Sequence, residues 1–267
     1  MARAPVGQDL VRMSLLKRFH LFLRVLPVVV VLVLLKLGVH ALDWEFVPLD
    51  GLVPSLIAGS IFLIGFLLSQ VLADYKESEH MPGDIRVALE AIHDDVVDFA
   101  DSTPGVDLTH LRGVLVDIVE AFETSLGLKG HHADLSAVIG RVDALSPFFA
   151  GLERLKMSER YVVRLRGAQD TLRRCMFRIS YVQKMQFLPS VHVLVQSLVI
   201  ASLFVLLFLK TSGSYESVLV LVFVGYMFIY ALYLIEHLDQ PFRTGEQTVD
   251  DVSIFLLRDF VEKLGRA

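Results

Sequence analysis

The chain has 267 residues, 54% of them hydrophobic and 21% charged, and its mean hydropathy of +0.57 lies above that of ordinary soluble domains. Its 25 Lys and Arg against 30 Asp and Glu give a net charge of −5, and no basic tract with interleaved aromatics occurs, so a nucleic-acid partner is set aside. Cys175 is the only cysteine, which excludes an internal disulfide and reads as a small buried apolar residue.

The apolar residues are gathered into long uncharged runs, the signature of membrane spans. Residues 1–20 form a segment carrying Arg3, Arg12, Lys17 and Arg18. The run that follows, Leu21 to Leu42, exceeds a signal core of about 7–15 residues and has no small-x-small cleavage site, so it reads as a retained first span. Arg24 and Lys36 fall near its two ends, where long stems carry a charge to the interface. Lining an anion path is the alternative for either. A second span runs from Leu52 to Ala73, and 21–73 thus holds two transmembrane helices. At about 1.5 Å per residue each crosses roughly 30 Å of hydrocarbon.

The middle segment, 74–187, is too long and polar for a linker and has helical periodicity. Apolar residues recur in steps of three and four as Ile85, Leu89, Ile92, Val96 and Phe99, then as Leu108, Leu111, Leu115, Ile118 and Phe122. Further stripes run through Leu135, Ile139, Val142 and Leu145, and through Leu165, Ala168, Leu172, Met176 and Ile179. With breaks at Thr103-Pro104-Gly105, Gly127 to Gly130 and Ser146-Pro147, the pattern predicts about four helices. Charge here is polarised: 74–134 holds fourteen acidic and four basic side chains, 135–187 four and ten. Either the halves pack as complementary helices, or Arg160, Arg164, Arg166, Arg173, Arg174 and Arg178 concentrate anions near a pore.

The third and fourth spans, Leu188 to Leu209 and Val218 to Ile235, lie within 188–237, and 238–267 is a polar tail. The third carries His192, Gln196, Ser197 and Ser202, for which interhelical hydrogen bonds and ion contact are both open. The loop from Asp43 to Gly51 has no basic residue and that between the last spans only Lys210. Both loops therefore face outward, and both termini and the middle domain are cytoplasmic in a plasma or inner membrane. The fold class is all-α: four transmembrane helices in two pairs, with a cytoplasmic helical domain between them.

Three stretches sharpen this plan. The second span reads Ala58-Gly-Ser-Ile-Phe62-Leu-Ile-Gly65-Phe66, followed by Tyr75 and a Met81-Pro82-Gly-Asp84 turn. The last span is followed by Glu236-His-Leu238-Asp-Gln-Pro241-Phe242, and Leu188-Pro189 with Gln196 opens the third. In order and position these resemble the bestrophin family of anion channels. The resemblance implies a homopentamer embedded in membrane lipid that passes chloride-like anions without a cofactor. It also implies a pore neck of Ala58, Phe62 and Phe66, an exit motif of Glu236, Leu238, Pro241 and Phe242, and a possible anion path past Arg24, His192 and Gln196. Independently, residues at i, i+4 and i+8 share a helix face, and a ring of such stripes makes a hydrophobic constriction. Animal bestrophins continue with an acidic calcium clasp, whereas this chain reads Arg243-Thr-Gly-Glu246-Gln-Thr-Val-Asp250-Asp251. Three scattered carboxylates are a poor cage for about six or more ligands, so calcium independence is expected.

An enzyme is not expected. Glu77-x-x-His80 and Glu90-x-x-His93 have di-iron spacing, with Glu120 and Glu123 as further carboxylates, but the copies sit 13 residues apart. His131-His132 reads as a solvated pair. No metal site is assigned, and neither a phosphate loop nor a nucleophile elbow occurs. The alternative function is a non-conducting scaffold or signalling protein whose cytoplasmic helices bind a partner.

Overall fold

A computed structural model describes residues 20–127, 135–184, 189–211, 215–239, 241–242 and 252–266. Among them are nine α-helices: α1 His20–Ala41, α2 Leu52–Ser102, α3 Leu108–Gly127, α4 Ser136–Asp143, α5 Leu145–Arg154, α6 Glu159–Lys184, α7 Pro189–Leu207, α8 Glu216–Leu238 and α9 Phe255–Arg266. Two residue pairs form strands, β1 Val47–Pro48 and β2 Leu209–Lys210. The protein is an all-α integral membrane protein, and α1, α2, α7 and α8 each have the length and apolar composition to cross a bilayer. The chain divides into two compact units, one of α1, α2 up to Tyr75, α7 and α8, the other of the rest of α2 with α3 to α6 and α9.

In the first unit α1 packs chiefly on α8, and α7 packs on α8. Ile64, Leu67 and Val71 of α2 are buried in one cluster with Val195 and Val199 of α7 and Phe228 and Ile235 of α8. Gly225 of α8 marks a close approach, since a Cβ there would stand 3.4 Å from Leu203 Cδ2 and 3.8 Å from Leu32 Cδ1. Small residues permit such contacts where no hydrophobic driving force separates helix from lipid. Buried Ser60 and Ser202 meet hydroxyl to hydroxyl at 2.8 Å, which resolves Ser202 as an interhelical hydrogen-bonding residue. Ser197 instead donates to Val193 O in its own helix.

At the far end of this unit the two short loops join. β1 and β2 pair in parallel, Val47 opposite Leu209 and Pro48 opposite Lys210. Lys36 departs from the snorkelling expectation. It is fully buried and donates to the carbonyl oxygens of Leu207 at 3.2 Å and Leu209 at 2.6 Å. Carbonyls at a helix C-terminus lack intrahelical donors, and a cation there also meets the negative end of the helix dipole. The fourth span is longer than hydropathy indicates, because α8 continues through Glu236 and His237 to Leu238.

The second unit is built from the predicted stripes. Ile85, Leu89, Ile92 and Val96 of α2 are buried, as are Leu111, Leu115, Ile118 and Phe122 of α3. Leu165, Leu172, Met176 and Ile179 of α6 and Leu257, Phe260 and Leu264 of α9 are buried too. The break after α2 falls at Gly105, whose φ of +101° suits a residue without Cβ. Asp107 then caps α3 by accepting from the His110 amide at 2.8 Å.

Two breaks differ from expectation. Met81-Pro82-Gly83 is not a turn: α2 runs through it, with Met81 and Pro82 buried. A proline in a helix interior costs about 3 kcal/mol, and burial of Met81, Ile85, Leu89 and Ile92 offsets that. The break expected at Ser146-Pro147 lies instead at Ala144, leaving Pro147 in the first turn of α5, where a proline loses no hydrogen bond. The result is four complete helices after α2, joined by α9 from the tail.

Candidate functional site

The α2 segment of the first unit has two unlike faces. One carries Val53, Ser60, Ile64, Leu67 and Val71 into the helix packing. The other carries Ala58, Phe62 and Phe66, all exposed, with Phe62 at 72% and Phe66 at 56%. Ser55, Gly59, Gly65 and Ser69 share that outward side. A Cβ built at Gly59 or Gly65 meets nothing within 4 Å. The α1 helix also exposes apolar side chains, and beyond Phe22 in its first turn they are aliphatic, among them Leu23, Leu26, Val30, Val31, Leu34 and Leu35. That composition is what a lipid-facing helix shows, whereas α2 alternates rings with glycine and serine.

His192 and Gln196 are brought together, but elsewhere. Both line a groove of about 600 Å³ between α7 and α8, with Tyr233, Glu236 and Asp239 at the same end. The Arg24 guanidinium lies over the Tyr233 ring, 5.2 Å from its centroid, a cation–π placement at the end of α1 where snorkelling was expected. No α2 residue lines this groove. In the exit motif Glu236 is exposed, while Leu238, Pro241 and Phe242 are buried. The Pro241 carbonyl accepts from the Val252 amide at 3.0 Å.

The basic helix α6 is largely neutralised within its unit. Arg178 grips Glu77 through two bonds of 2.8 and 2.6 Å, Arg166 pairs with Glu153, and Arg173 with Asp143 and Asp170. Arg164 pairs with buried Asp95, and Arg141 of α4 pairs with Asp117 of α3. The Arg178, Arg164 and Arg141 pairs join the two charge-polarised halves and favour their complementary packing, while the Arg166 and Arg173 pairs neutralise charge within the second half. Burial pushes the Asp95 carboxyl above its usual value, Arg164 offsets only part of this, and Asp98 and Asp94 add to it.

The di-iron spacing does not assemble. Both Glu-x-x-His copies sit on the single helix α2, Glu77 is taken by Arg178, and Glu90 by Arg86 and Lys263. Glu123 pairs with Arg258. Among the described residues no group of three or more His, Cys, Asp or Glu is placed to hold a metal ion. Burial lifts the Cys175 thiol to about 11, which keeps it protonated and unreactive. Arg3, Arg12, Lys17, Arg18, His131, His132, Leu188 and the segment from Arg243 to Asp251 lie outside the described residues.

Four spans, a second helix that carries through to Ser102, and a helical unit closed by the tail define a multi-pass all-α membrane protein of one particular architecture. That architecture is the bestrophin fold. The chain superposes on crystal structures of single-residue variants of a bacterial bestrophin homolog from Klebsiella pneumoniae. One matches with a TM-score of 0.72 at 16% identity over 91% of this chain and 96% of that one. Another gives 0.72 at 17% over 88% and 96%, and a third 0.66 at 17% over 93% and 97%. Neither a protein-family model nor a curated protein matches the sequence.

Proposed function

We propose that the chain assembles as a homopentameric ring conducting chloride-like anions passively and independently of calcium, through a central pore whose neck is Ala58, Phe62 and Phe66. The observation that carries this reading is the outward face of α2. It buries nothing within its own chain, yet it is too rich in glycine and serine for a lipid-facing surface. Around a ring such faces would form a narrow apolar constriction that gates by wetting and dewetting. Ring edges of phenylalanine are electropositive and do not repel anions as carboxylates do. The bestrophin fold supports the anion class, and the basic bias of the termini supports a plasma or inner membrane with both termini cytoplasmic. Permeation is placed on α2 rather than past Arg24, His192 and Gln196, because the groove there also holds Glu236 and Asp239.

The test is reconstitution of the purified protein into planar bilayers under a chloride gradient, with oligomeric mass measured on the same preparation. A ring whose reversal potential follows chloride is expected. A monodisperse monomer without current would favour the scaffold alternative. A second reading of the ion rests on the other half of α2, which exposes Asp84, Asp94, Asp98 and Asp101. Carboxylates lining a path favour cations, and a reversal potential that follows sodium or potassium would establish that reading instead.

A further inference from the structure

We infer that the exposed face of α6 in one copy of the chain docks on the acidic face of α2 in the next copy, making a charge-paired seam between their second units. The inference rests on the ring reading above and names a contact that holds the ring together.

Within one chain α6 runs antiparallel beside α2, tied by Arg178 to Glu77 at one end and by Arg164 to Asp95 at the other. Outside that contact each helix leaves one face uncovered. On α2, Asp84 and Asp98 are exposed and Ala91 is half-buried, and on α6, Arg160, Gly167 and Arg174 are exposed. Both triplets step by seven residues, close to two helical turns, so each keeps to one face. Among the described residues none of these four charged side chains forms an ion pair, and Arg174 donates to Thr171 Oγ1 at 3.1 Å.

The two faces match in spacing as well as in sign. Asp84 and Asp98 are fourteen residues apart, as are Arg160 and Arg174, and fourteen residues rise about 21 Å. Rotation about an axis along the helices preserves their directions, so α6 of one copy meets α2 of the next antiparallel. In that register Arg160 reaches Asp98 and Arg174 reaches Asp84, while Gly167 crosses Ala91. A Cβ built at Gly167 meets nothing within 4 Å in its own chain, and small residues at a crossing shorten the distance between helix axes. Val87 of α2 and Val163 and Phe177 of α6 are 66%, 63% and 59% exposed, apolar surface that such a contact covers. Two unlike faces on one chain make a heterologous contact, which rotation closes into a ring. Opposite charges in register fix which faces meet. The seam also neutralises two of the α2 carboxylates that would otherwise favour cations.

The test uses the full chain in two differently tagged forms, one with Asp98→Cys and one with Arg160→Cys, produced together and treated with a short bis-maleimide. Cross-linking of unlike copies, in excess of any between like copies, is expected. Cys175 is buried and does not compete. Asp84→Arg with Asp98→Arg sets like charges against Arg174 and Arg160. It is expected to raise the protein concentration at which the ring dissociates about tenfold, with the helical signal unchanged, and adding Arg160→Asp with Arg174→Asp should restore it. A ring that gives no unlike-copy cross-link, or whose dissociation ignores the charge reversal, overturns this inference and leaves the ring reading standing. A monomeric unaltered protein overturns both.

Discussion

The Lys36 ammonium, shielded from solvent near the end of α1, stands 2.8 Å from the largely buried carboxylate of Glu45 in the loop that follows. His40 approaches the other carboxylate oxygen at 3.3 Å. Together with the Leu207 and Leu209 carbonyls, this contact ties the first loop, through α1, to the C-terminal end of α7. Burial by itself would raise the Glu45 carboxyl, but Lys36 and then His40 outweigh it and hold it below the usual carboxylate value.

Removing one partner of a buried ion pair costs about 3–5 kcal/mol, because the other charge is left uncompensated. Lys36→Met is expected to lose about 3 kcal/mol, read as a lowered midpoint of denaturation in detergent. Glu45→Gln should lose less, since the ammonium keeps its two carbonyls. The double variant should recover part of the loss, which a double-mutant cycle measures directly. The depressed Glu45 value contributes stability above the ordinary carboxylate range. That contribution is lost as pH falls through the folded value.

Phe62→Ala together with Phe66→Ala widens the proposed neck. Single-channel conductance is expected to rise several-fold, or the closed state to be lost, with the ring intact. Unchanged currents from the double variant would return both rings to a lipid-facing role. Ser60→Ala is the control on the opposite face: it deletes a serine pair worth about 0.6 kcal/mol and should leave conductance alone.

Asp95 gives a pH dependence of opposite sign to Glu45. Its folded value is raised, chiefly by burial, so the folded state disfavours the carboxylate. Stability from this group therefore falls as pH rises from the ordinary aspartate range through the raised value. Asp95→Asn should flatten that slope in thermal melts across the acid range. Arg164→Ala should steepen it, because the carboxylate loses its counter-charge on α6.

Glu90 tests how the tail is held. Arg86 first, and then Lys263 of α9, hold its carboxyl below the usual value against burial. Lys263 contacts it at 3.0 Å, Arg258 pairs with Glu123 at 2.9 Å, and the Arg86 guanidinium lies 4.9 Å from the Phe260 ring. These are exposed or half-exposed pairs, each worth about 0–1 kcal/mol. Phe260→Ala, which empties a fully buried ring site, should destabilise by about 3 kcal/mol or more. Glu90→Gln should release α9 only modestly, with faster amide exchange over 255–266 and a smaller response to salt.

The four spans and the helical stripes of the second unit follow from the sequence itself. Membrane crossing demands long apolar runs, and a helix with one buried face repeats in steps of three and four, so Leu111, Leu115, Ile118 and Phe122 reveal their face without coordinates. Ala58, Phe62 and Phe66 are legible in the same way as one stripe. That the stripe is outward in its own chain depends on Ser60, Ile64 and Leu67 meeting α7 and α8, a long-range choice. Lys36 reads alike whether it snorkels or is buried, because its acceptors, Leu207 and Leu209, lie about 170 residues away. The continuity of α2 past Pro82 was equally hidden. Local chemistry favours a break there, and only burial of the flanking side chains decides against it. Sequence fixes periodicity because periodicity is local, whereas the partners that satisfy a buried charge or straighten a proline are supplied by tertiary packing.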